Sequence, residues 1–377
     1  MQKQILHVVN IYFVLPYFLG GQFKYFTKKG YGLHVICSHS PYLKDYASEN
    51  NFRYKEVPIA RSISIFQDLK SIIAICQYIF QNKIDIIVGH TPKGALLSMI
   101  AGFIMRVPER IYFRHGLVYE TSSGLKRKLL ITIDRIASFC ATKIVCVSPS
   151  VLQRSIEDKL ASPSKQLILG KGTCSGIDTS VKFNEDILVA EKKEQIRKEL
   201  NLSSSDWVIG YCGRLVRDKG IIELVEAFDL VKNEKANCKL LLVGMFEDRD
   251  ALPIEIQNRI KNDQDIIYTG FVNENQEYYY SLMDVYILPS YREGFPTSVL
   301  EASAMRKPIL TTRVTGCIDS IEDKKTGLFI NHDAEDIAEK LLTIYQNPSY
   351  YGKNARKFVV DNFDNFIVWK EIEKLYQ

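Results

Sequence analysis

Short runs rich in Val, Ile and Leu recur along this chain. Each is followed by a stretch whose apolar residues are spaced as on a helix, and this alternation restricts the accessible folds more than any other feature. In the first half the runs are "QILHVVN" (4–10), "GLHVICS" (32–38), "RYKEVPI" (53–59), "IDIIVGH" (84–90), "ERIYFRH" (109–115), "KIVCVS" (143–148) and "QLILGKG" (166–172). Helical candidates lie between them, around 20–30, 66–82, 93–106, 124–141 and 149–160. The pattern restarts with "WVIGYCG" (207–213), "CKLLLVG" (238–244), "DIIYTGF" (265–271), "DVYILPS" (284–290), "KPILTT" (307–312) and "GLFIN" (327–331). Helices fit at 219–233, 250–263, 274–283, 297–306, 315–321 and 333–347. Short apolar strands separated by helices are strands buried on both faces, which means parallel sheets covered by helices.

A length of 377 residues accommodates two such sheets. The predicted class is α/β, with two Rossmann-like, doubly wound domains facing across a cleft. Their predicted spans are 1–178 and 179–361, and the amphipathic tail 362–377, with Phe363, Phe366, Trp369 and Tyr376, is expected to pack back on the first. Residues 179–206 carry the connection and an opening helix. Open parallel sheets bind ligands at the carboxyl ends of their strands, so the site is expected in the cleft.

Composition narrows the class. The segment "GALLSMIAGFIM" (94–105) is too short to span a bilayer, and the first residues read as a strand, not a signal peptide. The eight cysteines form no CxxC pair and are expected to be free thiols, with no zinc or disulfide. Residues 1–175 hold 23 Lys and Arg against 10 Asp and Glu, and the remainder holds 26 against 34. A basic half beside an acidic one points to an anionic partner: nucleic acid, a membrane surface or a phosphorylated ligand.

The second half carries the densest chemistry, in "PSYREGFPTSVLEASAMRKP" (289–308). "DVYILPS" is a strand, so "YREGFP" is the loop at its carboxyl end. Pro296 suits a first helical turn, and "TSVLEASAM" continues as a helix. The N–H groups of Gly294 to Ser298 then form an anion site suited to a phosphate, with Glu293 before it and Glu301 about one turn beyond. Carboxylates accept hydrogen bonds from vicinal hydroxyls, and a nucleotide sugar has hydroxyls on both sides of a diphosphate. "GYCGRLVRDKG" (210–220) brings Arg214 and Lys219 to the same cleft, able to neutralise a diphosphate leaving group without a metal ion.

"GRLVRDKG" with "EGFPTSVLE" resembles the donor-binding half of the retaining glycosyltransferases of family 4, which adopt the GT-B fold. The resemblance covers nearly the whole chain and is closest over 205–331. It implies that Arg214 and Lys219 bind the donor diphosphate, that Glu293 contacts the donor sugar and that Glu301 holds the ribose. Gly294, Phe295, Pro296 and Thr297 would shape the anion site, and the base would lie near Gly244 and "TGFV" (269–272), which includes Val272. The implied cofactor requirement is none, with no metal site; "DRD" (248–250) resembles a metal-binding motif only superficially.

In the first half, Gly20 and Gly21 of "FLGGQFKYF" match a glycine-rich loop that faces the substrates in that family. "YFRHG" (112–116) places His115 where many members have a histidine near the donor sugar and the reaction centre, which makes His115 a catalytic candidate. Arg114 is a candidate for an acceptor phosphate, and His90, Thr91 and Lys93 of "VGHTPKGALL" for the acceptor side. That stretch lacks the spacing of an ATP-binding phosphate loop. "SSGLKRKLLITIDRIASF" (122–139) reads as a basic amphipathic helix suited to an anionic bilayer. The segment from "HTPKG" to "SGIDTS" looks most like bacterial capsule, O-antigen and exopolysaccharide enzymes acting on polyprenyl-diphosphate carriers.

The expectation is therefore a glycosyltransferase that moves a hexosyl or N-acetylhexosaminyl group from a nucleotide sugar, UDP-linked, to a polyprenyl-diphosphate-linked saccharide. It would retain the anomeric configuration and sit in the cytoplasm, peripherally on the inner face of the cell membrane, with no nucleic-acid partner. A nucleotide-sugar epimerase of the same fold is the alternative. A nucleic-acid-binding protein would explain the basic half and leave the Glu pair without a role. A nicotinamide oxidoreductase is disfavoured because no G-x-G-x-x-G with a downstream acid follows the first strand.

Overall fold

The structure, a computed structural model, describes residues 2–60, 62 and 64–377. The chain forms two compact units, Met1–Gly176 with Phe366–Gln377, and Ile177–Asn365. The first change of unit falls at 176/177, and the return falls at 365/366.

The first unit holds a seven-stranded sheet: β1 (Gln4–Val8), β2 (Gly32–Cys37), β3 (Arg53–Glu56), β4 (Ile86–Gly89), β5 (Glu109–Arg114), β6 (Lys143–Cys146) and β7 (Gln166–Leu167). The order is β3-β2-β1-β4-β5-β6-β7, and every pairing is parallel. Ile5, Leu6 and Val8 of β1 and Ile86, Ile87 and Val88 of β4 are buried, as central strands covered on both faces require. The run at 166–172 pairs over only two residues. Gly170 and Gly172 take positive φ, and the Gly172 N–H turns back to the Leu169 carbonyl, ending the ladder.

The second unit holds a six-stranded sheet: β8 (Trp207–Cys212), β9 (Cys238–Val243), β10 (Ile266–Gly270), β11 (Val285–Leu288), β12 (Ile309–Thr312) and β13 (Gly327–Ile330). Its order is β10-β9-β8-β11-β12-β13, again entirely parallel. The helix predicted over 315–321 is only a 3-10 turn, Cys317–Asp319.

Helix starts follow local chemistry. In Thr91-Pro92 and Ser148-Pro149, proline opens the helix and the preceding hydroxyl accepts from the N–H three residues on, at 3.3 Å for Gly94 and 3.2 Å for Val151. Among the described residues, no helix is long and apolar enough to cross a membrane.

The tail helix Asn365–Tyr376 docks on the first unit. Its Trp369 ring lies against Gly21 and Tyr25, Tyr376 packs on Phe26 and Tyr31, and Ile372 is completely buried. Tyr25 OH donates to Glu373 at 2.9 Å. Replacing Ile372 by Ala removes buried methyl groups at the centre of this contact. It should destabilise the first unit by about 3 kcal/mol. Denaturant unfolding followed by Trp369 fluorescence in a Trp207→Phe background measures this; an unchanged midpoint would contradict the docking.

Candidate active site

In the second sheet the chain leaves β8, builds β9 and β10 on one side, and returns to lay β11 against the other edge of β8. The segments after β8 and β11 therefore leave neighbouring strand ends in opposite directions, which opens the crevice where doubly wound sheets bind ligands. The segment after β8 carries Arg214 and Lys219, and the segment after β11 carries Glu293.

Gly220 brings the two segments together. Its φ is 68°, and a Cβ there would stand 2.1 Å from the Pro289 carbonyl oxygen, so the approach needs glycine. Lys219 Nζ reaches Glu293 Oε1 at 2.5 Å, and Ser290 Oγ donates to the same oxygen at 2.9 Å. Arg292 pairs with Asp218 at 3.1 Å, and the Tyr291 N–H donates to the Asp218 carbonyl at 2.9 Å. Thr312 Oγ1 donates to the Ser290 carbonyl at 2.6 Å, which also meets His332 Nε2 at 3.1 Å. The His332 ring lies flat on Tyr291 with centroids 3.7 Å apart. These contacts hold Glu293 in place within its own unit. Arg214, with 46% of its side chain exposed, pairs at 2.8 Å with Glu247 from the segment after β9.

Helix Thr297–Ala304 begins directly after the Glu293 segment, and no side chain caps it. Pro296 occupies the cap position, one residue earlier than predicted. The first bond of the helix runs from the Val299 N–H to the Pro296 carbonyl at 3.1 Å, so the N–H groups of Thr297 and Ser298 precede it. Gly294, Phe295 and Pro296 are buried, and the Phe295 ring packs on Phe363 at 5.3 Å. Phe295 thus shapes the loop from the core side. One turn along, partly buried Glu301 accepts from Tyr280 OH at 2.7 Å. Burial raises the Glu301 carboxyl above its ordinary range, opposed by the Tyr280 hydrogen bond and the Lys182 charge. Gly244 and Val272 stand at the ends of β9 and β10. The Gly244 N–H donates to the Gly270 carbonyl at 3.0 Å, and the Val272 carbonyl accepts from Gln276 Nε2 at 3.1 Å.

In the first sheet the strand order reverses between β1 and β4. Three imidazoles gather there: His7 in β1, His90 directly after β4 and His115 directly after β5. His7 Nδ1 lies 3.1 Å from His90 Nε2, and His90 Nδ1 lies 3.0 Å from His115 Nε2. Burial lowers His7 to about 3 and His115 to about 4, and pushes His90 well below its ordinary value, helped by its two neighbours. All three rings are therefore neutral near pH 7.

The side chains of His90, Lys93 and Arg114, predicted for the acceptor side, are buried in the first unit. His90 is buried and shared between two imidazoles. Lys93 pairs with Asp68 and donates to the Ser62 carbonyl at 3.1 Å. Arg114 is 0% exposed, with its guanidinium spent on Asp134 at 2.6 Å, Ser138 at 2.8 Å, Gln166 at 2.8 Å and Ser155 at 2.6 Å. A buried guanidinium needs a counterion and acceptors, and here they are all internal. Gly21 takes its small size from Trp369, whose ring would lie 3.0 Å from a Cβ, while Gly20 closes the turn Leu15–Leu19 with its N–H on the Leu15 carbonyl at 2.8 Å. Asp250, in the "DRD" stretch, accepts the Asp218 N–H at 2.8 Å.

Residues 192–358 match the family model for glycosyl transferases group 1, and residues 5–148 match the model for glycosyl transferase 4-like proteins. The capsular polysaccharide biosynthesis glycosyltransferase CapM of Staphylococcus aureus is 33% identical over 378 residues, covering 99% of this chain and 97% of that protein. The chain is a glycosyltransferase of this group 1, family 4-like family. An Escherichia coli relative, UDP-Gal:alpha-D-GlcNAc-diphosphoundecaprenol alpha-1,3-galactosyltransferase, is 24% identical and covers 94% of this chain and 90% of its own. The Anabaena protein HepE, solved with UDP and glucose, superposes with a TM-score of 0.82 at 16% identity over 99% of both chains. The fold of this glycosyltransferase is GT-B.

Sequence reasoning missed His7, Asp218, Glu247, Tyr280 and Arg292 of the glycosyltransferase. Asp218 and Arg292 lie inside the quoted motifs, and their charge was the available signal. His7 sits within an apolar strand, where nothing in one dimension marks it. Three neutral imidazoles carry three N–H groups, and the two bonds between them use two. The His7 end is enclosed by Phe23 and Tyr376, at ring distances of 5.6 and 6.5 Å. A buried unpaired N–H is rarer than an unpaired lone pair, so the third N–H belongs at the His115 end. Nitrogen-15 NMR of histidine-labelled protein at neutral pH should therefore find His7, His90 and His115 as the Nδ1–H tautomer. His7→Phe should release His90 and His115 towards Nε2–H. Nε2–H signals from these rings in the wild type would reverse the assignment.

Proposed function

We propose that this glycosyltransferase moves a hexosyl or N-acetylhexosaminyl group from a UDP-sugar to a polyprenyl-diphosphate-linked saccharide. The transfer retains the anomeric configuration and serves bacterial surface polysaccharide biosynthesis, with the enzyme peripheral at the membrane. The observation that carries this reading is the Lys219–Glu293 pair at the β8/β11 reversal, beside a helix start that no side chain caps. A cation, a carboxylate and free amides side by side suit a diphosphate joined to a hydroxyl-rich sugar. The relatives lend support, since one is named for a UDP-sugar and an undecaprenol-linked acceptor and a structural neighbour was solved with UDP and glucose.

In this reading the diphosphate takes Arg214 over from Glu247 and shares Lys219 with Glu293. Glu293 accepts from the donor sugar's hydroxyls and Glu301 from the ribose. The bond from the anomeric carbon to the phosphate oxygen breaks on the face where the acceptor oxygen attacks, and the leaving phosphate takes the acceptor's proton. Charge stabilisation by Arg214, Lys219 and the amides supplies most of the rate, and the reading calls for no metal ion. His115, donating through Nδ1–H, supports the sugar as a neutral group.

Lys219→Ala or Arg214→Ala should lower turnover by about two orders of magnitude or more, because each removes a leaving-group cation. Transfer assays with short-chain polyprenyl-diphosphate saccharides measure this, and wild-type turnover in either variant removes the proposed role. Product formed from the donor alone would instead favour an epimerase.

A second test uses pH. Ionised Glu301 accepts through both oxygens with charge-assisted strength, whereas protonation turns one of them into a donor, and burial raises its pKa. UDP-sugar affinity should thus be full above that raised pKa and fall as pH drops through it. Calorimetric titrations should show this acid-side loss in the wild type and a flatter profile in Glu301→Gln. Identical profiles would exclude Glu301 from the ribose site.

A further inference from the structure

Three neighbouring helices of the first unit bury one face in the core and leave another apolar face open. Helix Ile65–Asn82 packs beside helix Pro92–Ile104, which packs beside helix Gly124–Cys140. Their inward residues include Ile75, Tyr78 and Ile79 of the first, Leu97 and Ala101 of the second, and Ala137 and Cys140 of the third. The opposite faces should then be polar. They are not.

On Gly124–Cys140 the exposed residues Leu125, Leu129, Ile136 and Phe139 follow one another at intervals of four, seven and three, a single stripe along the helix. On Ile65–Asn82 the exposed residues Phe66, Leu69, Ile73 and Phe80 follow at three, four and seven, a second stripe. Phe66 and Leu125 are each 84% exposed. Phe103 and Ile104, exposed at the end of the helix between, extend the surface, with the Phe103 ring 5.9 Å from that of Phe139. An apolar surface of this extent on an otherwise ordinary unit marks a place of contact.

The charges around it have one sign. Each outer helix has a single acid, and both acids are neutralised from within: Asp68 by Lys93, and Asp134 by fully buried Arg114. The middle helix has none. Lys70, Lys126, Lys128 and Arg135 are exposed on the outer helices, and Lys165 reaches over the Phe139 ring. Apolar stripes with Phe and Leu, flanked by exposed cations of which Lys70, Lys126 and Lys128 have no ion-pair partner among the described residues, match the layered chemistry of an anionic bilayer: acyl chains within, phosphate groups at the rim.

We infer that the face formed by helices Ile65–Asn82, Pro92–Ile104 and Gly124–Cys140 docks onto an anionic lipid bilayer. This deepens the proposed peripheral location and rests on that reading only for the identity of the membrane. The stripes enter the headgroup boundary, and the lysines and arginines meet lipid phosphates. A second copy of this chain would bring like charges together around the stripes, so self-association is disfavoured.

The test is sedimentation of the full chain with phosphatidylglycerol-containing vesicles and with purely zwitterionic ones. The expected result is binding to the anionic vesicles that weakens with salt. Phe66→Ser/Leu125→Ser/Phe139→Ser alters only exposed positions, so folding is preserved, and it should weaken binding at least tenfold. Lys126→Gln/Lys128→Gln should weaken it about thirtyfold, since each juxtamembrane lysine contributes about 1 kcal/mol. Calorimetric UDP binding by the second unit should be unchanged in both variants. Undiminished vesicle binding by the variants, or no binding by the wild type, would overturn the inference. So would light scattering that shows a wild-type dimer dissociated by the serine substitutions. Vesicle binding without UDP-sugar affinity would instead count against the catalytic reading and leave the docking face standing.

Discussion

A parallel sheet admits no hairpins. Every strand must be followed by a crossover that returns the chain to the same edge, so all strand carboxyl ends in one sheet lie along one side. Where the order of addition reverses, two of the following loops part and leave a crevice. Both sheets here have one such reversal, at β1/β4 and at β8/β11. The three imidazoles occupy the first, and Lys219 with Glu293 the second. Residues remote in sequence meet there because the topology leaves them nowhere else to emerge.

Electrostatic pairing then separates sites from scaffolding. Arg214 and Arg114 are both arginines at or just past strand ends, and both face a carboxylate. Arg114 is sealed beneath a helix with every acceptor internal, so removing either partner would strand a buried charge. Arg214 is half exposed, and its partner Glu247 lies in a loop, so an incoming anion can take its place at modest cost. Lys219 and Glu293 are intermediate, mostly covered yet at the crevice. Their pairing positions both groups in advance, which lowers the reorganisation a bound diphosphate would demand.

Much of this was legible in one dimension. The Val/Ile runs located the central strands, because burial on both faces demands continuous apolar sequence, whereas the edge strands β3 and β7 are short and polar. The Glu293/Glu301 spacing with Arg214 and Lys219 was legible because the charges stand next to glycine and proline punctuation at strand ends. Errors arose where side-chain direction mattered. The run at 166–172 was cut short by two glycines at positive φ. His90 and Arg114 stand at strand ends and Lys93 in the first turn of the helix after β4, and each turns into the unit. The basic amphipathic pattern at 122–139 was visible, but nothing in the sequence told which of its apolar residues the core would claim.

The order of apolar and polar residues by itself determined the alternation of strand and helix, the two parallel sheets and the end of each strand where charge collects. Local rules of burial and backbone geometry suffice for that. Only the tertiary structure decided which charges remain available, that three histidines from three strands form one chain, and that two helices carry unclaimed apolar stripes. Those outcomes depend on which atoms from distant segments arrive within hydrogen-bonding or packing distance, and no property of a residue or its sequence neighbours encodes that.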